Sequence, residues 1–515
     1  MADSRSLPGV PAAEKRAEPD PRRWWALVVI ALAQLMVVLD MTIVNIALPS
    51  AQAELGMSDG NRQWVITAYT LAFGGLLLLG GRITDLVGRK LSFSVGLLGF
   101  AAASALGGAA TGQAMLFGAR ALQGVFAALL APAALSLLAT TFTEPRERSR
   151  AFGVFGAIVG AGAAIGLLAG GFLTEYLDWR WCLYVNVPIA LVAFAGALMV
   201  LHDSARRADA HLDVPGALLG CAGMLAIVYG FSEAESRSWG DPLVLALLGG
   251  GALLLILFGL WQRRARVPLL PLSVIRDRQR IGAFLTVLCV TIGMFGVFLF
   301  LTYYMQRVLG YSPVRTGVAY LPITAGMIVG STQVAARLLH VVPPRLLIVP
   351  GLVVAAGGLA IVAQVGTEPA YASHVLPGMI LLGLGMGTAM MTSVSLATGS
   401  VAPQDAGAAS ATFNTAQQVG GSIGTALLNT IAASATTRYA TAHAGPGVDR
   451  RALAAEATVH GFNVATWWAM GSVLLGALVA GIVVNAPSAP TTATEAPAGD
   501  REVTPADRAS GPGTG

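Results

Sequence analysis

Charged side chains are few in this chain. Asp, Glu, Lys and Arg make up 11% of its 515 residues, where ordinary globular domains carry about 25%. Hydrophobic residues reach 55%, for a mean hydropathy of +0.69. A soluble fold of this length cannot hide so much apolar surface, so a soluble enzyme or scaffold is excluded. Lysine occurs only as Lys15 and Lys90, and no G-x-x-x-x-G-K-[ST] is present, which excludes ATP-driven work by this polypeptide alone. Cys182, Cys221 and Cys289 lie far apart in apolar blocks and form neither a disulfide framework nor metal-ligand spacing; they read as packing residues. Six scattered histidines without an H-E-x-x-H give no reason to expect zinc. GGSIG (420–424) satisfies G-x-S-x-G, but it sits in an apolar helical block with no strand before it, so Ser422 is not read as a nucleophile. Neither enzymatic activity, nor a metal, nor a cofactor is expected.

The apolar residues come in blocks of about 20, each long enough to cross a hydrocarbon core as a helix. Breaking them at Pro, Gly and charge clusters predicts fourteen spans: 24–48, 63–81, 91–110, 114–138, 150–173, 181–201, 213–232, 242–262, 281–305, 316–338, 346–364, 374–396, 409–431 and 463–485. The chain reads as an all-α polytopic membrane protein. The polar arm 1–23 is long for a signal-peptide n-region and no cleavage site follows the first block, so that block reads as a retained span. An even number of spans puts both termini on one side. That side receives 23 Lys and Arg against 8 opposite, with Arg120 left inside a span; the positive-inside rule makes it the cytoplasm. The net charge of +5 is explained by these short clusters, and no nucleic-acid footprint is seen. The tail 486–515, rich in Ala, Pro, Thr and Gly, has little to bury and is expected to be disordered, as is the arm.

Asp40, in LMVVLDMTIVNIALP (35–49), is the one acidic residue placed inside the bilayer. A carboxylate there costs roughly 2.5–3.5 kcal/mol on insertion scales, and in a many-span protein without an ATP motif it points to proton carriage. Arg120, in the fourth span, is its expected partner. Desolvation disfavours a carboxylate and a nearby cation favours it, so a motion that changes their separation changes proton affinity. Arg120 is expected to face a central cavity. A weak repeat lays GRITDLVGRKL (81–91) on ARLLHVVPPRL (336–346), Arg82 meeting Arg337 and Lys90 meeting Arg345. It suggests two six-helix halves, 24–201 and 281–485, separated by a two-helix insertion within 202–280; such symmetry is common in transporters.

Several segments carry a resemblance. GGRITDLVGRK (80–90), with Gly81, Asp85, Gly88, Arg89 and Lys90, resembles the signature loop between spans two and three of the major facilitator superfamily. LFGARALQGVFAA (116–128), with Arg120, Gln123 and Gly124, is similar to that superfamily's fourth-span motif. LDMTIVNIALP, WRWCLYVNVP (179–188) and LDVPG (212–216) resemble features of its fourteen-helix drug:proton antiporters. The resemblance implies a major facilitator fold of 14 transmembrane helices and proton-coupled export of amphipathic drugs or antibiotics across a bacterial cytoplasmic membrane. Gly162, Gly166, Gly170 and Gly171 fall in a segment similar to the antiporter fifth-span motif, but Leu167 stands where that motif has Pro. The departure keeps a dedicated metabolite exporter or a proton-coupled importer of the same fold open. From a different class, a transport-inactive membrane sensor is the alternative.

Physically, Gly81 and Gly88 let a short connection turn, while Asp85 can accept from a helix N-terminus and pair with Arg89, holding one face shut in one conformation. Polar or aromatic groups out of place in lipid are candidates to line a substrate path: Gln34, Asn45, Trp64, Tyr69, Gln123, Tyr303, Tyr304, Gln333, Asn414, Gln417 and Gln418. With Asp40 the sole acid inside the membrane, neutral, singly charged or zwitterionic cargo is expected over dications. The partners implied are a small amphipathic molecule, protons and the bilayer, with no obligatory protein partner.

Overall fold

The computed structural model describes residues 23–484 except 143, 202–212, 266–267, 270–273, 275, 340, 368–370, 400–405 and 446–448. The arm 1–22 and the tail from 485 onward, both expected to be disordered, lie outside the described residues. Regular structure among the described residues is helical: α1 (Arg23–Leu55), α2 (Trp64–Val87), α3 (Arg89–Gly108), α4 (Gln113–Thr141), α5 (Pro145–Tyr176), α6 (Trp181–Tyr184), α7 (Asn186–Val200), α8 (Val214–Arg237), α9 (Pro242–Gln262), α10 (Arg278–Tyr303), α11 (Pro313–Ala319), α12 (Leu321–Val329), α13 (Ala336–Leu338), α14 (Arg345–Val362), α15 (Leu376–Gly399), α16 (Ala406–His443) and α17 (Arg450–Val483). π-Helical turns at Tyr304–Val308, Gly330–Ala335 and Tyr371–Val375 join or extend several of them. A helix or collinear run overlies each of the fourteen expected spans, and 11 of these, among the described residues, are long and apolar enough to cross a membrane.

Two boundaries differ from expectation for a physical reason. The connection expected over 432–462 is mostly helix, because α16 runs to His443 and α17 starts at Arg450; RRALAAEATVH is rich in strong helix formers and continues the rod beyond the apolar stretch. The 80–90 segment is not a loop either. α2 continues to Val87 and α3 begins at Arg89, leaving Gly88 alone as the corner, with φ +108° and ψ 145°. Only glycine adopts that conformation without strain. Gly81 and Asp85 therefore lie in the last turns of α2.

Two groups of helices pack internally, α1–α7 and α10–α17, and they meet along a seam made by α2 against α16 and by α5 against α11, with α1 against α10 between them. The hairpin α8–α9 lies outside both, with α8 lying over α16 and α2. Its entry, LDVPG, is a built corner. Asp213 caps α8 through Gly216 N (3.0 Å) and accepts from Trp261 Nε1 and Gln262 Nε2 on α9, each at 2.7 Å. Residues with no Cβ let the rods of the first group touch backbone to backbone. A Cβ at Gly80 would strike the carbonyl of Ala128 on α4, and one at Gly124 the carbonyl of Tyr69 on α2. Close approach on α2 therefore belongs to Gly80 rather than Gly81, whose added Cβ would meet only Pro132 at 3.7 Å.

Candidate functional site

Asp40 sits on α1 with no exposed surface. Its Oδ2 accepts from Arg120 Nη1 on α4 at 2.6 Å, and its Oδ1 accepts from Gln123 Nε2 at 3.0 Å and from Asn186 Nδ2 at 2.8 Å. Arg120 is 2% exposed; it also donates through Nε to Val65 O at 2.9 Å and through Nη1 to Gln123 Oε1 at 2.7 Å, and its guanidinium lies 4.4 Å from the Tyr69 ring centroid. Gln123 passes the network on to Ser104 Oγ on α3 at 2.7 Å. A buried pair of charges survives desolvation only with its remaining donors and acceptors engaged, and here five helices supply them. Helical spacing sets the geometry: Arg120 and Gln123, three apart, share one face of α4, and Gly124 beside them lets that face press on α2.

This geometry corrects one expectation. Arg120 does not face a cavity between the two groups; it points into the α1–α7 group, beside a small apolar pocket bordered by Val44, Val65, Leu116 and Cys182. Every partner of Asp40 comes from that same group. Tyr69 and Gln123, expected on a substrate path, belong to this cluster instead. Asn186 and Ser104 went unpredicted as site residues, although Asn186 stands in VNVP as a lone amide in an apolar run and that was its available signal.

The other candidates are scattered. Trp64 packs against Tyr229 of α8 in the inserted hairpin, ring centroids 6.0 Å apart. Tyr304 donates to Gly366 O at 3.1 Å, and Gln333 is exposed, donating to Thr332 Oγ1 at 3.3 Å. Asn45 and Asn414 donate to their own helices, to Met41 O and Ser410 O, both at 3.0 Å. Gln34 and Gln417 are half-buried. On the seam itself stand Gln418, whose Nε2 is 3.8 Å from Met41 Sδ across the two groups, and Tyr303, whose hydroxyl donates to Gln52 Oε1.

The small-residue face of α5 is a two-sided joint. Cβ atoms at Gly162, Gly166 and Gly170 would press on Leu35 and Val38, on Thr42 and Leu39 O, and on Ile43 O of α1. One at Gly171 would meet Pro313 O at 2.7 Å, in the other group. Leu167 lies on this second side, its carbonyl 2.5 Å from where a Cβ of Gly317 would stand. The position that holds Pro in the resembling motif is here a close crossing of α5 and α11. Of the 80–90 segment, Lys90 Nζ donates to Leu198 O at 3.3 Å, Arg82 Nη2 to Pro268 O at 2.9 Å, and Arg89 opens α3. The Asp85 side chain, with its expected pairing to Arg89, lies outside the described residues.

Comparison with known proteins follows the same lines. The sequence profile of the Major Facilitator Superfamily matches residues 30–425. A puromycin resistance protein of Streptomyces alboniger is 55% identical over 98% of this chain and 99% of its own length. A cephamycin export protein of Amycolatopsis lactamdurans is 38% identical over 80% of this chain and 85% of its own. Among solved structures, a bacterial homologue of the human lysosomal transporter Spinster, in an inward-facing and unoccupied conformation, superposes with a TM-score of 0.64 at 16% identity, covering 90% of this chain and 97% of its own.

Proposed function

The chain belongs to the major facilitator superfamily, and from that premise we propose that it is a proton-driven exporter of amphipathic drugs or antibiotics in a bacterial cytoplasmic membrane, with both termini in the cytosol. The observation that carries this reading is the enclosed Asp40–Arg120 pair. A buried anion needs a counter-charge, and here the guanidinium supplies it. Any tilt of α4 against α1 that draws Arg120 away leaves the carboxylate uncompensated in low dielectric, and a proton is the replacement that restores neutrality. Protonation and helix position are then coupled, which is the minimum an antiporter requires. Gln123 and Asn186 hold the carboxylate in place while the counter-charge changes.

The two groups, taken as the halves that rock about the seam, would carry cargo between them. Across the two groups Arg62 meets Asn429 and Gly74 packs on Gln418, and the cytosolic part of the seam beyond Met41 and Gln418 is taken as the cargo entrance in this reading. Gln418 and Met41 form its floor. The resistance and export names of the relatives favour export over import. One charge moved through 100 mV contributes about 2.3 kcal/mol, enough per proton for a cargo gradient of roughly fifty-fold.

The test uses inverted vesicles and two variants. Asp40→Asn leaves Arg120 as an unpaired buried cation, so Asp40→Asn/Arg120→Gln, which removes both charges, controls for instability. The double variant is expected to fold and to lose ΔpH-driven uptake. Retained proton-coupled uptake in either variant removes Asp40 from the mechanism.

A further inference from the structure

The motif LDMTIVNIALP ends in Pro49, whose place in the function is not explained by Asp40. Pro49 lies inside α1, where its missing N–H and its ring disturb the carbonyls of the preceding turn. Two carbonyls beside that proline, one in the turn before it and its own, accept from donors in the other group. Gln306 Nε2 donates to Ile46 O at 3.0 Å and Arg307 Nη2 to Pro49 O at 3.3 Å. Both donors stand on the π turn Tyr304–Val308 that ends the α10 rod, and π turns inside helices are found frequently at functional sites.

Thirteen residues beyond Pro49 in the chain, Arg62 reaches from the α1–α2 connection into the same group. It is 5% exposed. Its guanidinium lies 4.0 Å from the Tyr303 ring centroid on α10 and 6.0 Å from that of Phe462 on α17, and Nη2 donates to Asn429 Oδ1 on α16 at 3.5 Å. Asp59 holds the cation from its own side at 2.8 Å, while Asn429 Nδ2 donates back to Asp59 O at 3.1 Å. Gln52 ties the set together, donating to Asp59 Oδ1 at 2.9 Å and accepting from the Tyr303 hydroxyl. One cation is thus seated in an aromatic socket built from the opposite group, beside the carbonyls of Ile46 and Pro49 that accept from that group.

We propose that Arg62 in the Tyr303–Phe462 socket, together with Gln306 and Arg307 on the carbonyls around Pro49, is the latch that holds the extracellular end of the seam closed. The word extracellular rests on the orientation proposed above; the latch itself does not. Opening at that end must withdraw Arg62 from the rings and return the carbonyls of Ile46 and Pro49 to water, so the strength of these contacts sets how often the transporter opens outward. Tyr303, expected to line a path, acts here as the seat of the bolt.

The experiment measures distance between spin labels at Ser58→Cys, on the α1–α2 connection, and Thr437→Cys, near the end of α16, in the purified full chain with Cys182, Cys221 and Cys289 replaced by Ala. Both label sites are exposed. With Arg62 present a short-distance population is expected to dominate. Arg62→Ala and Tyr303→Leu are each expected to raise the ratio of long to short distances on the order of tenfold, as loss of a desolvated cation–π contact implies. If Arg62→Ala does not yield folded protein, Tyr303→Leu and Gln306→Leu decide. Folded variants whose distances match the parent overturn the latch. The measurement needs neither cargo nor a proton gradient, so it stands apart from the vesicle assay: coupled uptake retained by Asp40→Asn with an opened seam in Arg62→Ala would reject the proton reading and keep the latch.

Discussion

Asn186 holds one oxygen of a carboxylate that has no water to turn to. Its amide is fully buried and donates to Asp40 Oδ1 at 2.8 Å, and a hydrogen bond to a charged group contributes about 1.5–3 kcal/mol. Asn186→Ala is expected to cost that much stability, read as a lowered melting temperature in detergent; an unchanged melting curve would mean the bond is idle. Gly88 makes a different residue-scale case. Its φ of +108° is closed to side chains at low cost, so Gly88→Ala is expected to destabilise the α2–α3 corner by about 1–3 kcal/mol, although nothing stands within 4 Å of the added methyl. Gly118→Ala is the control: it too meets nothing within 4 Å but lies inside α4, and no loss of stability is expected there.

Among elements, α5 and α16 show how little hydropathy says about a helix's neighbours. α16 is built largely from Ala, Gly, Ser, Thr, Asn and Gln, a poor lipid-facing surface, and it is the rod most hemmed in, with α2, α8, α10 and α17 around it. Small residues suit that place because they let backbones approach. The same logic governs α5. Gly166→Leu is expected to force α5 off Thr42 and Leu39 of α1, costing about 1–3 kcal/mol or more through overpacking, with a loss of folded yield measured by size-exclusion profile. Transport by that variant at wild-type level would show that the α1–α5 contact is not needed.

For the whole molecule, the distribution of buried charge bears on cargo. Asp40 is already engaged by Arg120, and no cluster of three or more His, Cys, Asp or Glu is found among the described residues. With Asp40 the one acid expected at membrane depth, a doubly charged cargo is expected to find no second carboxylate there. Accumulation assays with matched mono- and dicationic dyes are expected to show better extrusion of the monocation, and preference for the dication would refute this. The chain is a transporter of its family rather than an enzyme, and the sensor alternative, which would tolerate loss of both Asp40 and Arg120, is opposed by the resistance and export proteins it resembles over 98% and 80% of its length.

Scarcity of charge, blocks of about 20 apolar residues and the isolated Asp40 and Arg120 determined, from the sequence alone, a helical membrane protein with two isolated charges inside its spans, because lipid tolerates only helices with satisfied backbones and punishes every unpaired charge. Which way Arg120 points was left to the tertiary structure. Periodicity places a side chain on a helix face, but the neighbour of that face is chosen by close approaches such as Gly124 on Tyr69 and Gly80 on Ala128, which no local pattern reveals. The bond from Asn186 to Asp40 spans 146 residues and the stacking of Arg62 on Tyr303 spans the two groups. Such partners are fixed by how rods cross, and crossing is a property of the packed bundle alone.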